Sequence, residues 1–186
     1  MPDATPDQRI RQIRKFAGEL GRAAWFTACG EPLTPAEQAD AEHYLTGLGL
    51  PVRPIAGIAT WAEAAATAQR PDWQPAWWRA DEAAARALHQ AAAALLSETE
   101  LLMALSAVTL AAANLHGPAA LAAARAGVAD PALSRVAAGA AALACQQMGL
   151  VHAANAGEDH PLAIKYRLFA GGRWLLGVIG DRCYLF

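Results

Sequence analysis

Residues 163–186 read AIKYRLFAGGRWLLGVIGDRCYLF, and the fold turns on this stretch. Alanine, abundant up to that point, gives way to Ile, Tyr, Phe, Trp and Val, the residues that fit a pleated, half-buried surface. Gly171-Gly172 and Gly180-Asp181 are pairs suited to tight hairpin turns. The pattern predicts three antiparallel strands, at about 163–169, 174–179 and 182–186. A two-residue turn at Gly180-Asp181 would pair Val178 with Cys183 and Leu176 with Leu185, while the glycine pair would set Phe169 opposite Trp174.

That register leaves both faces of the sheet apolar. Ile164, Tyr166, Leu168, Leu175, Ile179, Tyr184 and Phe186 fall on one face. Phe169, Trp174, Leu176, Val178, Cys183 and Leu185 fall on the other. If the rest of the chain covers the first face, the second needs another element, a second copy or a partner. Phe169, Trp174, Leu176, Val178 and Leu185 are therefore the candidate interface, and a two-fold homodimer is the commonest way to bury such a patch.

Working back toward the N-terminus, the helix starts are marked in the residues. A capping box satisfies two orphan backbone donors at once. The pattern occurs at Thr5–Gln8, Thr34–Glu37, Thr60–Glu63 and Ser97–Glu100, and Asp130-Pro131 gives a fifth start. Pro6 and Pro35 stand at the first helical position, where a missing N–H costs nothing. Helices are expected at about 6–29, 35–48, 61–69, 75–96, 98–115, 118–126 and 131–151. The fourth has Trp77, Ala84, Leu88, Ala91 and Leu95 on one stripe and Arg79, Glu82, Arg86 and His89 opposite, so it should lie on the outside. The fifth is apolar all round, with Leu101, Leu102, Met103, Leu105, Val108 and Leu110, and is expected at the centre. The seventh is rich in small residues that allow close backbone approach.

The fold class that follows is mainly α: a single domain over 1–186, with a bundle of six to seven helices in 5–156 and a three-stranded antiparallel β-meander in 163–186. Composition agrees. The 186 residues include 49 alanines, the best helix former, and only 17% are charged, against about 25% in an average protein. A chain of this size can bury a core without a metal or disulfide staple.

A net charge of −2 gives no general attraction to phosphate, and Arg9, Arg11, Arg14 and Lys15 read as a solvated helix face. No nucleic-acid partner is expected. Cys29, Cys145 and Cys183 are widely spaced and odd in number, which suits reduced thiols in a cytoplasmic protein. The first fourteen residues are polar, and no secretory signal is expected there. Two uncharged stretches, 101–124 and 136–157, read as buried bundle helices; His116-Gly117-Pro118 shortens the first below the roughly twenty residues of a membrane span. No membrane association is expected.

The strong catalytic signatures are missing: the sequence holds no GxxxxGK[ST], GxGxxG, GxSxG or HExxH pattern. Asp40 and His43 stand one helical turn apart, but there is no second pair to complete a di-metal set, so no metal and no cofactor are expected. A Cys183–His160 nucleophile pair would need something to lower the thiol's pKa, and no residue nearby in sequence does so. The unusual feature is tryptophan. Six occur, four of them at Trp61, Trp73, Trp77 and Trp78. Trp73, Trp77, Trp78 and Arg79 could wall a pocket for a planar or cationic ligand; alternatively the rings fill gaps that an alanine core leaves.

Three functional readings follow in order. The first is a non-catalytic interaction or regulatory domain, with a homodimer through the C-terminal sheet, or another protein, as its partner. The second is a small-molecule-binding helical domain with a Trp-lined pocket. The third is an enzyme without a recognisable motif.

Overall fold

The computed structural model describes residues 5–186. The helices are α1 (Pro6–Glu19), α2 (Pro35–Gly47), α3 (Trp61–Ala68), α4 (Pro75–Ala93), α5 (Glu98–Ala112), α6 (His116–Arg125), α7 (Pro131–Ala154) and α8 (Pro161–Ala170), and α1, α2, α3, α5 and α7 begin where the sequence caps place them. Complete capping boxes form at Thr5, Thr34 and Ser97. At Thr60 the hydroxyl accepts from Glu63 N–H, but the Glu63 carboxylate accepts from Ala59 N–H instead of Thr60 N–H. A 3-10 turn joins α5 to α6 in one helical stretch, Glu98–Arg125.

The first helix stops ten residues earlier than its periodicity suggests. A 3-10 turn (Leu20–Arg22) follows Glu19. The indole of Trp25 folds back to donate to the Leu20 carbonyl at 2.7 Å, occupying an acceptor that a continuing helix would use. Phe26 then takes a left-handed conformation (φ 62°), a backbone state rare for a bulky residue.

The largest correction concerns 163–169. This segment is not a strand but most of helix α8. Pro161 sits at the first helical position and the His160 ring accepts from Leu162 N–H at 3.2 Å, so the start signal lies just upstream of the apolar run. Helical spacing turns Leu162, Lys165, Leu168 and Phe169 inward, against α7 and α2. The glycine pair ends this helix instead of turning a hairpin. Gly172 adopts φ +101°, its N–H bonding the Phe169 carbonyl and the Arg173 N–H bonding the Leu168 carbonyl.

The sheet still has three strands, but its third comes from far away in sequence. β1 (Ile55–Gly57) runs parallel to β3 (Arg182–Leu185), which pairs antiparallel with β2 (Leu175–Ile179), giving the order β1-β3-β2. The sheet is mixed, not an antiparallel meander. Val178 faces Cys183 as the turn predicts. Beyond Gly177 the register shifts, so Leu185 faces Leu175 instead of Leu176, and Trp174 and Phe186 exchange both backbone hydrogen bonds.

Neither face of β2 is open. Every residue of β2 is buried, and Phe169, Trp174, Leu176, Val178 and Leu185 are all at or below 5% exposed within one chain. Trp174 packs beside Trp61 and Phe186, with ring centroids 6.0 and 6.5 Å away. The expected interface patch is thus enclosed by the chain's own helices, and a homodimer would have to meet through another surface.

The centre of the bundle is α7, not α5. Twelve α7 residues are buried, among them Ala137, Ala141, Ala144 and Cys145, and α1, α4, α5, α6 and α8 all pack against it. Small side chains make this possible, because neighbours can approach on every side. On α5, Leu101, Ala104, Val108 and Ala112 face inward, whereas Leu102, Met103 and Leu110 are 66%, 51% and 73% exposed and Leu105 is half-buried. Glu98–Arg125 and Pro131–Ala154 are both long and apolar enough to cross a bilayer by length and composition. The most apolar part of the second is 61% buried inside the fold, that of the first 28%. Overpacking should reveal which helix is central. Ala141→Leu is expected to cost about 1–3 kcal/mol in urea unfolding, while Leu102→Ser should change stability by less than about 0.5 kcal/mol.

Arg173, buried just past α8, ties the loop before α2 to the sheet. Its guanidinium donates to the carbonyls of Ala28, Glu31 and Pro32 and forms a two-pronged pair with the Glu37 carboxylate at 2.7 and 3.0 Å. Partial burial alone would raise the Glu37 carboxyl, but hydrogen bonds from Arg173 and Thr34 outweigh it and hold the group below its ordinary value of 4.5. A depressed carboxylate adds stability above its unfolded value and loses it as pH falls through the folded one. Glu37→Gln should therefore lower Tm at pH 7, and the gap to wild type should close as pH drops below about 4.5. Thermal melts across that range read it directly.

Candidate ligand-binding site

A cavity of about 590 Å³ opens between the C-terminal end of α3, the first turn of α4 and the N-terminal half of α7. Trp73, Trp77 and Trp78 wall one side. Pro75 at the first position of α4 fixes where that helix starts, and the spacing of the two helical tryptophans sets their rings at an angle. Trp73 and Trp77 lie 6.3 Å apart, tilted by 31°, and Trp77 and Trp78 meet edge to face at 5.9 Å. Leu133, Val136, Ala140 and Leu143 of α7 form the opposite wall. Trp78 and Val136 are 58% and 57% exposed and mark the mouth, while Phe169, Trp174 and Leu176 are buried at the inner end.

The wall depends on a glycine. Gly177 adopts φ +136°, and a Cβ there would stand 2.6 Å from two atoms of the Trp77 ring and 3.0 Å from Trp73. Only a residue without a side chain lets β2 pass this close behind the indoles.

At the inner end stands a buried charged network. The ammonium of Lys165 on α8 donates to Asp81 Oδ1 at 2.8 Å, with both side chains 7% exposed. Asp81 also accepts from the Tyr44 hydroxyl at 2.7 Å and from Gln147 Nε2 at 2.7 Å. Trp77 Nε1 in turn donates to the Tyr44 oxygen at 2.9 Å, wiring the cavity wall to the carboxylate. Four helices supply this network: α2, α4, α7 and α8. Gln147 Oε1 is buried without a hydrogen-bond partner. Lys165 itself lines the cavity. An ammonium carries three donors; one reaches Asp81, and the other two have no protein partner among the described residues.

Burial pulls the Lys165 ammonium below the ordinary lysine range, and the charge and hydrogen bond of Asp81 offset only part of that. Burial pushes the Tyr44 phenol well above its usual value, and the neighbouring Asp81 charge adds to it. Tyr44 therefore stays a neutral donor.

Of the expected ligand-contacting residues, the structure brings Trp73, Trp77 and Trp78 together; Arg79 points away, exposed on the outer face of α4 and outside the cavity lining. Lys165, Asp81, Tyr44 and Gln147 escape a reading of the sequence. One signal was present. Asp81 lies four residues after Trp77 on the apolar stripe of α4, a place where an acidic side chain is out of pattern unless it has a buried partner.

The other chemical candidates do not assemble. Burial pushes Cys29, Cys145 and Cys183 up to about 12, far from thiolate chemistry. The His160 ring is occupied as the cap of α8. Asp40 forms a two-pronged pair with Arg167 at 2.6 and 2.8 Å. A second cavity of about 840 Å³ lies between the 3-10 region and α6, walled by Trp25, Phe26, Trp61 and Phe186. The Cys29 thiol beside it already donates to backbone carbonyls. The chain matches no protein-family description, no curated protein and no solved structure.

Proposed function

We propose that this protein is a small-molecule-binding domain. Its ligand is mostly apolar and ring-bearing, and it enters between Trp78 and Val136 to lie against Trp73 and Trp77. The observation that carries the reading is Lys165. An apolar cavity with one convergent polar group is the usual form of a ligand site, and here that group is a buried cation that keeps two donors unused by the protein. The Lys165–Asp81 pair is neutral overall, so a carboxylate ligand would meet the Asp81 charge as well as the ammonium. A neutral acceptor such as a carbonyl, ether or phenol fits better.

Gly139 offers a clean test, because it lines the cavity and a Cβ there would meet nothing within 4 Å. Gly139→Phe should fill the cavity without strain and should leave stability unchanged or raise it by up to about 1 kcal/mol, since glycine is a poor helix residue. With 2-naphthol as probe, wild-type protein is expected to show saturable quenching of tryptophan fluorescence, and Gly139→Phe should weaken binding at least about tenfold. Equal binding by both proteins would remove the cavity from the function.

A further inference from the structure

We propose that the ligand carries an aldehyde or ketone and that Lys165 holds it covalently, as a protonated imine with Asp81 as counterion. This rests on the cavity being the ligand site, and it names the chemical class that the site takes.

The chain has thirteen arginines and only two lysines, Lys15 and Lys165. Buried Arg173 shows how this fold uses a guanidinium to grip carbonyls and a carboxylate. At the inner end of the cavity stands the one basic group that can also become a nucleophilic amine. Its environment moves it toward that form. Burial draws its pKa down, and the cavity walls around it are mostly apolar. The Asp81 carboxylate, 2.8 Å away, is placed to accept the proton the amine must shed. Tyr44 and Gln147 fix that carboxylate from the other sides, so it stays in position when the ammonium hydrogen bond is broken and remade.

The step balances without oxidant or cofactor. The ammonium gives one proton to Asp81, and the neutral amine adds to the carbonyl carbon, forming the C–N bond. The former carbonyl oxygen leaves as water after taking up two protons, one from the nitrogen and one returned by Asp81. The product keeps one N–H on the positively charged imine nitrogen, facing Asp81 as the ammonium did. Charge in the buried network is the same before and after, which suits a low-dielectric site. A conjugated carbonyl compound would lie flat along the Trp73 and Trp77 rings, 6.3 Å apart in a shallow V.

The chain provides its own control, because Lys15 is exposed and paired only loosely with Glu19 at 3.9 Å. The full-length protein is incubated with 2-naphthaldehyde and then borohydride, and the reduced adduct is located by peptide mass mapping. The expected result is one naphthylmethyl group on Lys165, formed at least tenfold faster than on Lys15. An absorbance shift from the imine should appear before reduction. Gly139→Phe, which blocks the cavity but leaves Lys165 and Asp81 in place, should slow labelling of Lys165 at least tenfold. Lys165→Met should abolish the adduct; should that variant fail to fold, Gly139→Phe and the site of labelling decide the matter. Labelling confined to Lys15 or the amino terminus, while 2-naphthol still binds, overturns the imine and leaves the binding site standing. Failure of both probes overturns both.

Discussion

Asp81→Asn is expected to destabilise the protein by about 3–5 kcal/mol, the usual cost of breaking a buried pair from one side. The amide can still accept from Tyr44 and, once Gln147 turns its unpaired Oε1 toward it, donate to Gln147, so most of the loss comes from leaving the buried Lys165 ammonium without its counterion. A ceiling exists because the stranded group can shed its proton. For an ordinary lysine that costs about 4.6 kcal/mol at pH 7, at about 1.36 kcal/mol per pH unit. The sign of the pH dependence follows. Lys165 would be neutral in the folded variant and charged in the unfolded chain, so the penalty is largest at low pH and shrinks as pH rises toward 10.4. Urea unfolding at pH 7 and pH 9 should show the gap to wild type narrowing by a kcal/mol or two, within the roughly 2.7 that the slope allows. Replacing both partners, Asp81→Asn with Lys165→Met, should recover much of the loss, because a packed apolar side chain removes the uncompensated charge. A double variant as unstable as the sum of the singles would mean that the pair is not coupled.

The second large effect is expected at Gly177. Gly177→Ala combines two penalties: a φ of +136° that a side-chain-bearing residue rarely adopts, and a Cβ 2.6 Å from the Trp77 ring. Backbone strain of about 1–3 kcal/mol and overpacking of about 1–3 kcal/mol together give about 2–6 kcal/mol. The indoles cannot yield cheaply, since Trp77 is only 5% exposed and its N–H is held by Tyr44. The same variant should lose 2-naphthol binding even under conditions where it remains folded, because the wall of the cavity must shift. Gly18→Ala is the matching control. Its Cβ would meet nothing within 4 Å on an exposed face of α1, so a gain of up to about 1 kcal/mol is expected from helix propensity alone. Calorimetric melting of the two variants separates the cases.

Those two residues also show where sequence reading stops. Much that depends on a few neighbouring residues was legible, though not the His160-Pro161 start of α8 or its end at Gly171-Gly172. The Thr5, Thr34 and Ser97 caps start helices because side chain and backbone meet within four residues. The Gly180-Asp181 turn set Val178 against Cys183 for the same local reason. The outer face of α4, with Arg79, Glu82, Arg86 and His89, is exposed as its pattern required. The clustering of Trp73, Trp77 and Trp78 was visible as spacing.

The tertiary structure decided what local chemistry left balanced. Ile164 to Phe169 suits a strand by propensity, yet Pro161, the His160 cap and packing against α7 and α2 make it helix α8. β1 is only three residues long, and its pairing with β3 spans more than 120 residues, so no periodicity could announce it. Both α5 and α7 are apolar in composition. Alanines that let neighbours close in on every side put α7 at the centre, while the bulkier leucines of α5 reach solvent. Lys165 and Asp81 stand 84 residues apart and meet only because α4 and α8 converge. A buried charge is tolerable only where its partner arrives with it, and that arrival is a property of the packed fold, not of either segment alone.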